Sequence, residues 1–336
     1  MNVRLILLSC IFSCGAVKQD INDKINGLCL VAPSFELKPA YYQPIQNTGA
    51  NWVAIIPYAF CSPTQPQVTF DHPKQWIGET TDGIKQAIQL AHKSGLKVML
   101  KPHLWVIGQG WAGDLEYTSE EQLNQWKSSY ATYILNFAQV AHELNVEMIS
   151  IGTEIRQIAK TNDFYWIDLI NRVRKIYSGP LTYSANWDNY ENIPFWRELD
   201  YIGIDAYFPI SESKTPSVEE LIKNGSETKQ EIRDFTNVYL KKVLFTEFGF
   251  KSQDYSTSGH WKQDHKNKTV NIDGQANAYK ALFKLYWNED WFLGGFAWKW
   301  HYKHKEAGGT SNQDFTPQNK LAEKILRNQY SKNKDQ

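Results

Sequence analysis

Runs of apolar residues recur along this chain at near-regular spacing, and most of them are separated by segments with helical periodicity. The apolar runs are "NGLCLVA", "NWVAIIPYAF", "LKVMLKPHLWV", "VEMISIGTEI", "PLTYSANW", "DYIGIDAYFPI", "KVLFTEFGF" and "FLGGFAWKW". Between them, "TDGIKQAIQLAHKS" places Ile84, Ala87, Ile88 and Ala91 on one helical face, and Gly95 supplies a stop. "SEEQLNQWKSSYATYILNFAQVAHELN" and "DFYWIDLINRVRKIYSG" read as helices, as do "DGQANAYKALFKLYWNED" and "QNKLAEKILRNQY". "NIPFWREL" reads as a short helix, and "SVEELIKNGSETKQEIRDFTNVYL" as a helix broken around Asn224-Gly225. Strands this apolar are covered on both faces, and βα alternation implies a parallel sheet under helices. Eight such units predict a closed (β/α)₈ barrel in a single domain. No Gly-rich phosphate loop follows the first strand, which removes the basis for a dinucleotide fold.

The amino terminus, "MNVRLILLSCIFSCGAVKQD", has one early arginine, a short apolar run and then small residues with cysteine. That layout predicts an export signal. "IFSC" has the form of a bacterial lipobox, giving a signal segment over 1–14 with Cys14 lipidated, a tether over 15–25 and the barrel over 26–336. Lipidation at Cys10, and plain secretion with cleavage nearby, are the alternatives. The expected place is the cell envelope, by a lipid anchor in the membrane, or else the periplasm or the medium. Cys29 and Cys61 then remain as free, partly buried thiols.

The 36 basic and 36 acidic side chains cancel, and nucleic acid is not an expected partner. The 13 Trp and 18 Tyr serve a core, and equally a site that stacks on sugar faces. His301 and His304 are three apart with no carboxylate or cysteine cluster beside them, so neither metal nor other cofactor is expected. His92 and His142 fall in predicted helices. The polar segment from Lys251 to Asp273 is long for a connection and reads as a candidate lid.

Glu154 ends the fourth strand and Glu247 the seventh. In a (β/α)₈ barrel both emerge on the rim where active sites are built. An unpaired charge at a buried strand tip is costly. Two carboxyl groups facing each other across a cleft are the machinery that cleaves glycosidic bonds.

"WVAIIPYAF", "KPHLWV", "ISIGTEI", "LTYSANW", "LDYIGIDAYFPI", "LFTEFGF" and "GGFAWKW", in that order, resemble the β-1,4-mannanases of glycoside hydrolase family 113 over about Asn26 to Trp300. The resemblance implies a retaining endo-β-1,4-mannanase acting on mannan, glucomannan or their oligosaccharides as a monomer. By position, Glu154 resembles the acid/base and Glu247 the nucleophile. Much of the wider clan has Asn before the acid; Thr153 stands here, and the family resembles this chain in lacking that Asn. Asn186, at the end of the fifth strand, and His103, at the end of the third, are the candidates for the sugar 2-hydroxyl. Tyr207 is placed to hydrogen-bond Glu247, and Trp298 to floor the sugar beside the cleavage point. Asp205 faces either the site or a structural ion pair, and Lys101 neutralises acids inside the barrel. Trp105 and Trp187 are candidate outer platforms. A β-glucanase, an exo-β-mannosidase and a non-catalytic glycan-binding lipoprotein are the competing readings.

Overall fold

Eight parallel strands close into a barrel in the computed structural model, which describes residue 21, residues 23–259 and residues 269–332. In chain order the strands are β1 (Ile25–Leu30), β2 (Trp52–Ile55), β3 (Tyr58–Cys61), β4 (Lys97–Leu100), β5 (His103–Val106), β6 (Met148–Thr153), β7 (Leu181–Asn186), β8 (Ile202–Asp205), β9 (Val243–Phe248) and β10 (Phe292–Trp300). The barrel runs β1-β10-β9-β8-β7-β6-β4-β2 and closes through Gly27↔Trp52 to Leu30↔Ile55. Among the described residues eight α-helices accompany it: α1 (Gln43–Gln46), α2 (Thr81–Lys93), α3 (Glu120–Glu143), α4 (Arg156–Thr161), α5 (Asp163–Arg174), α6 (Val218–Tyr239), α7 (Ile272–Tyr286) and α8 (Leu321–Ser331).

Two apolar clusters follow from the alternation of side chains along each strand. One fills the barrel with Ile25, Cys29, Trp52, Met99, Met148, Leu244 and Phe296 among others. The larger lies between barrel and helices and includes Trp126, Trp166, Tyr183 and Phe245. Cys29 and Cys61 are both buried and unbridged.

The second and third apolar runs are not single strands. Pro57 and Pro102 interrupt them, because proline cannot donate to a ladder. Beyond the prolines, β3 and β5 pair with each other in a separate parallel ribbon, Tyr58↔His103 to Cys61↔Val106, on the rim. His103 thus opens a rim strand and does not end a barrel strand. The first strand begins at Ile25.

Two helix expectations are corrected. "NIPFWREL" forms no α-helix: Pro194 holds Ile193 extended (φ −83°, ψ 114°), leaving 3₁₀ turns at Tyr190–Asn192 and Trp196–Glu198. α6 runs unbroken through Asn224-Gly225. There the Asn224 amide donates to the Ile210 carbonyl, and Gly225 admits Leu285 of α7, whose Cδ1 would lie 2.8 Å from a Cβ. Cys10 and Cys14 lie outside the described residues, as do residues 260–268 of the segment expected to form a lid. That segment's flanks are tied down: Ile210 N–H donates to Thr257 O (2.8 Å), and Asn271, the α7 cap, donates to Thr215 Oγ1 (2.7 Å).

Gly294 sits in β10 at φ +118°, where the pairing with β9 shifts register. A Cβ there would lie 2.2 Å from the Ile25 carbonyl oxygen. We expect Gly294→Ala to destabilise the fold by at least about 2 kcal/mol, read as a lowered unfolding midpoint, since both the backbone conformation and the space oppose it.

Candidate active site

Lys101, one residue past β4, shares the inward phase of Met99 and is fully buried among polar groups at the barrel mouth. Its Nζ donates to Glu247 Oε1 (2.5 Å) and to Asp205 Oδ2 (3.1 Å). It also lies 3.0 Å from His103 Nε2. Asp205 ends β8 and Glu247 is the fifth residue of β9, so neighbouring strands deliver both carboxylates to one ammonium.

Glu247 has further donors. The Tyr207 hydroxyl donates to Oε2 at 2.6 Å, and His103 Nε2 lies 3.3 Å from Oε1. Burial by itself would raise the Glu247 pKa; the Lys101 charge and the His103 contact outweigh it and hold the carboxyl down to about 2. Asp205 is pushed up to about 7 by burial and by the charge of Glu247, against Lys101 and the Thr246 hydroxyl (2.7 Å). One cation beside two carboxylates favours the better-supplied one. His103 is driven down to about 4 by burial and Lys101, so its imidazole is neutral near neutral pH. Burial opposes the charge on Lys101 too, but the two carboxylates prevail and raise its pKa.

Glu154 is the first residue after β6 and has a left-handed backbone, φ +52°. Such a conformation in a non-glycine residue persists where neighbours over-determine it. Here Glu154 N–H donates to Ser184 O (2.8 Å), Thr153 Oγ1 donates to Pro102 O (3.0 Å), and the Tyr183 hydroxyl accepts from Ile155 N–H (2.9 Å). The Glu154 pKa is raised well above the carboxylate range by burial and by the charges of Asp205 and Glu247, with Lys101 and the Trp111 indole opposing. A carboxyl held protonated near one held ionised can divide acid and nucleophile work between them.

Trp111 is the site residue that the sequence reading misses. Its indole N–H donates to Glu154 Oε2 at 2.7 Å. The ring is covered by the Arg156 guanidinium at 4.9 Å, and Arg156 is pinned by Asp114 (2.6 Å) and Asp188 (2.9 Å). The available signal was a tryptophan in the glycine-spaced stretch "GQGWAG" soon after a strand end. Asn186 joins this chain from behind, since its amide donates to Asp188 Oδ1 (2.8 Å). Among the described contacts it supports Arg156 through Asp188.

The remaining candidates spread around the mouth. Trp298, in β10, stacks on His103 at 6.1 Å and 7°. Of its neighbours, Trp300 is buried and Lys299 turns away to Asp314 (3.1 Å). Trp105 is 51 % exposed on the rim ribbon. Trp187 lies half-buried, edge-on to Phe208 at 5.9 Å. His301 and His304 flank the end of β10, where His304 stacks on Trp300 (5.3 Å).

The family model for Glycoside Hydrolase Family 113 matches residues 40–320. A solved β-mannanase of that family from Alicyclobacillus acidocaldarius, in complex with ManMIm, is 25% identical with a TM-score of 0.81, over 93% of this chain and 98% of its own. A second β-1,4-mannanase of the family is 24% identical with a TM-score of 0.77, over 92% of this chain and 99% of its own. A β-glucuronidase from Ruminococcus gnavus shares the fold at 13% identity and a TM-score of 0.63, over 92% of this chain and 50% of its own. No curated protein sequence matches the chain.

Lys101→Met leaves Asp205 and Glu247 buried together without a cation. We expect a loss on the order of 3–5 kcal/mol of stability near neutral pH, measured by unfolding. The sign of the pH dependence follows from Glu247. Its folded pKa is depressed, so its contribution is present above the unfolded carboxylate value and is lost as pH falls toward about 2. The unpaired carboxyls of the variant instead protonate in place. The gap between wild type and variant should therefore narrow as pH is lowered.

Proposed function

The chain belongs to glycoside hydrolase family 113, and from that premise we propose that it is a retaining endo-β-1,4-mannanase acting on mannan, glucomannan or manno-oligosaccharides. The observation that carries this reading is the placement of two glutamates at barrel strand tips, Glu247 held by Lys101 and Tyr207 and Glu154 held by the Trp111 indole. Glu247, ionised by Lys101 and oriented by Tyr207, attacks the anomeric carbon. Glu154, protonated at rest, gives its proton to the departing glycosidic oxygen. The glycosyl-enzyme ester then removes the Glu247 charge that had helped keep Glu154 protonated. The Glu154 pKa falls, and the same carboxylate takes a proton from the water that attacks the ester.

Lys101 and Asp205 act as positioning residues, the first by charge and the second by holding the first. Trp111 orients the acid. Trp298 floors the sugar at the cleavage point, and His103, beneath Trp298 and against Glu247, contacts the sugar 2-hydroxyl. The mannose reading is supported by the family 113 β-mannanase at 25% identity. The exposed rim tryptophans support endo action, because an internal bond needs sugar platforms beyond the reacting unit.

Glu154→Gln and Glu247→Gln keep side-chain shape but can neither give the proton nor attack as an anion. Each should fold and lose at least about 100-fold in turnover on β-mannan. Near wild-type turnover in either variant would remove the assignment, and a panel of mannan, glucomannan, cellulose and xylan tests the specificity. Proton NMR of early hydrolysis should show the β-anomer first; an initial α-anomer would make the reaction inverting and Glu247 a general base.

Export with a lipid on Cys14 is part of the same proposal, supported by the lipobox-like "IFSC". Metabolic lipid labelling should mark the wild type and be lost in Cys14→Ala; label retained in the variant would move the anchor to Cys10.

A further inference from the structure

The amino-terminal segment reaches the barrel at the end opposite the catalytic mouth, where the strands begin. Ile21 packs on the apolar cluster inside the barrel, and its N–H donates to the Tyr201 hydroxyl (3.3 Å) just before β8. Lys24 Nζ donates to Glu289 O (3.0 Å) and to Phe292 O at the start of β10. The chain is therefore pinned to the floor of the barrel, while Glu154 and Glu247 stand toward the other ends of their strands.

Cys14 is seven positions before Ile21. Seven residues of extended chain reach roughly 25 Å. α3, with 24 residues packed along the barrel wall, is about 36 Å long. A lipid on Cys14 would thus keep the floor close to the bilayer, on a leash shorter than the helix that flanks the wall.

The rim of this floor has features that the fold does not use. Leu240 follows α6 with φ +53°, the left-handed cap conformation usually given to glycine, and its side chain is 89 % exposed. Val238, two residues before it, is 64 % exposed. Backbone strain and exposed apolar surface coincide here with no packing in return.

Charge selects what could cover them. Lys93, Lys97, Lys175, Arg197 and Lys242 are exposed at the same end, and half-buried Lys24 and Lys241 add to the positive charge. The Arg197 guanidinium lies over the Tyr239 ring at 5.6 Å, beside Leu240. Of the acids there, Asp200 is held by Arg174 (2.8 Å), Glu289 by Lys229 (2.5 Å) and Glu143 by Lys85 (3.0 Å). Half-buried Glu147 and exposed Asp23, Glu198 and Asp290 are the others, so the described residues leave this face with a positive surplus. Aliphatic side chains ringed by lysine and arginine suit an anionic bilayer surface. The cations meet lipid phosphate while the aliphatic groups enter the acyl boundary.

We propose that the strand-start face, through Leu240, Val238 and Lys242, docks on an anionic phospholipid surface, so that the catalytic mouth opens away from the membrane. The proposal rests on the lipid anchor proposed at Cys14 and adds the contacting face and the orientation.

The test is amine footprinting by acetylation, read residue by residue by mass spectrometry, on the full chain with and without vesicles of phosphatidylglycerol and phosphatidylcholine. Lys97, Lys175 and Lys242 should react at least about threefold more slowly on the vesicles. Exposed Lys160 and Lys214, on the mouth side, should change by less than about 1.5-fold. Pure phosphatidylcholine, or salt raised to about 0.5 M, should reduce the protection. Leu240→Asp should abolish it while lipid labelling at Cys14 persists. Equal protection at both ends, protection confined to Lys160 and Lys214, no protection at all, or protection unchanged in Leu240→Asp would overturn the proposal. If the wild type carries no lipid, the anchor reading fails and the same footprint with vesicles in excess still decides the face. Protection that depends on Leu240 upholds it, and its absence overturns it.

Discussion

A single ammonium group, that of Lys101, sits at the barrel mouth with carboxylates from two adjacent strands against it. Without it, Asp205 and Glu247 would be buried side by side with no counter-charge, an arrangement a protein relieves by protonation or by unfolding. With it, the charge is shared unequally. Glu247 has the ammonium, a phenol and an imidazole about its two oxygens, while Asp205 has the ammonium and one hydroxyl. That inequality keeps Glu247 ionised, and the resulting negative charge helps to keep Glu154 protonated. The proposed division between nucleophile and acid is therefore one electrostatic arrangement seen at two positions.

The barrel supplies the geometry for this at the ends of its strands. Parallel pairing brings Asp205 beside Glu247 in register, and the alternation of side chains turns Lys101 inward two residues after Met99. The prolines contribute by what they interrupt. Pro57 and Pro102 end the barrel ladders of β2 and β4, and the chain beyond them forms a rim ribbon that carries His103 back over Glu247. His103 in turn lies parallel to Trp298, so Trp298 and Glu247 are both held by one imidazole.

Glu154 is held differently, by backbone and by a relay of side chains. Its left-handed conformation is fixed by hydrogen bonds from three directions, and its one indole donor is braced by Arg156, Asp114, Asp188 and Asn186 in sequence. Each link is a local contact, and together they fix one carboxyl oxygen.

The sequence by itself determined the class of fold and the place of both glutamates at strand tips. Eight apolar runs with helices between most of them leave few architectures besides a closed parallel barrel, and a strand-tip acid is conspicuous because burial makes it costly. Tyr207 and Asp205 were legible for the same reason, since strand phase projects them onto the rim beside Glu247. Tertiary structure alone decided that Lys101 is shared between two acids, that Asn186 braces Arg156 through Asp188, and that Trp111 reaches Glu154. Periodicity reports which face of an element a side chain occupies. It carries no information on which side chains from distant segments converge on one atom. Those contacts join residues 101 with 205 and 247, and 111 with 154, and they exist only once the barrel has closed.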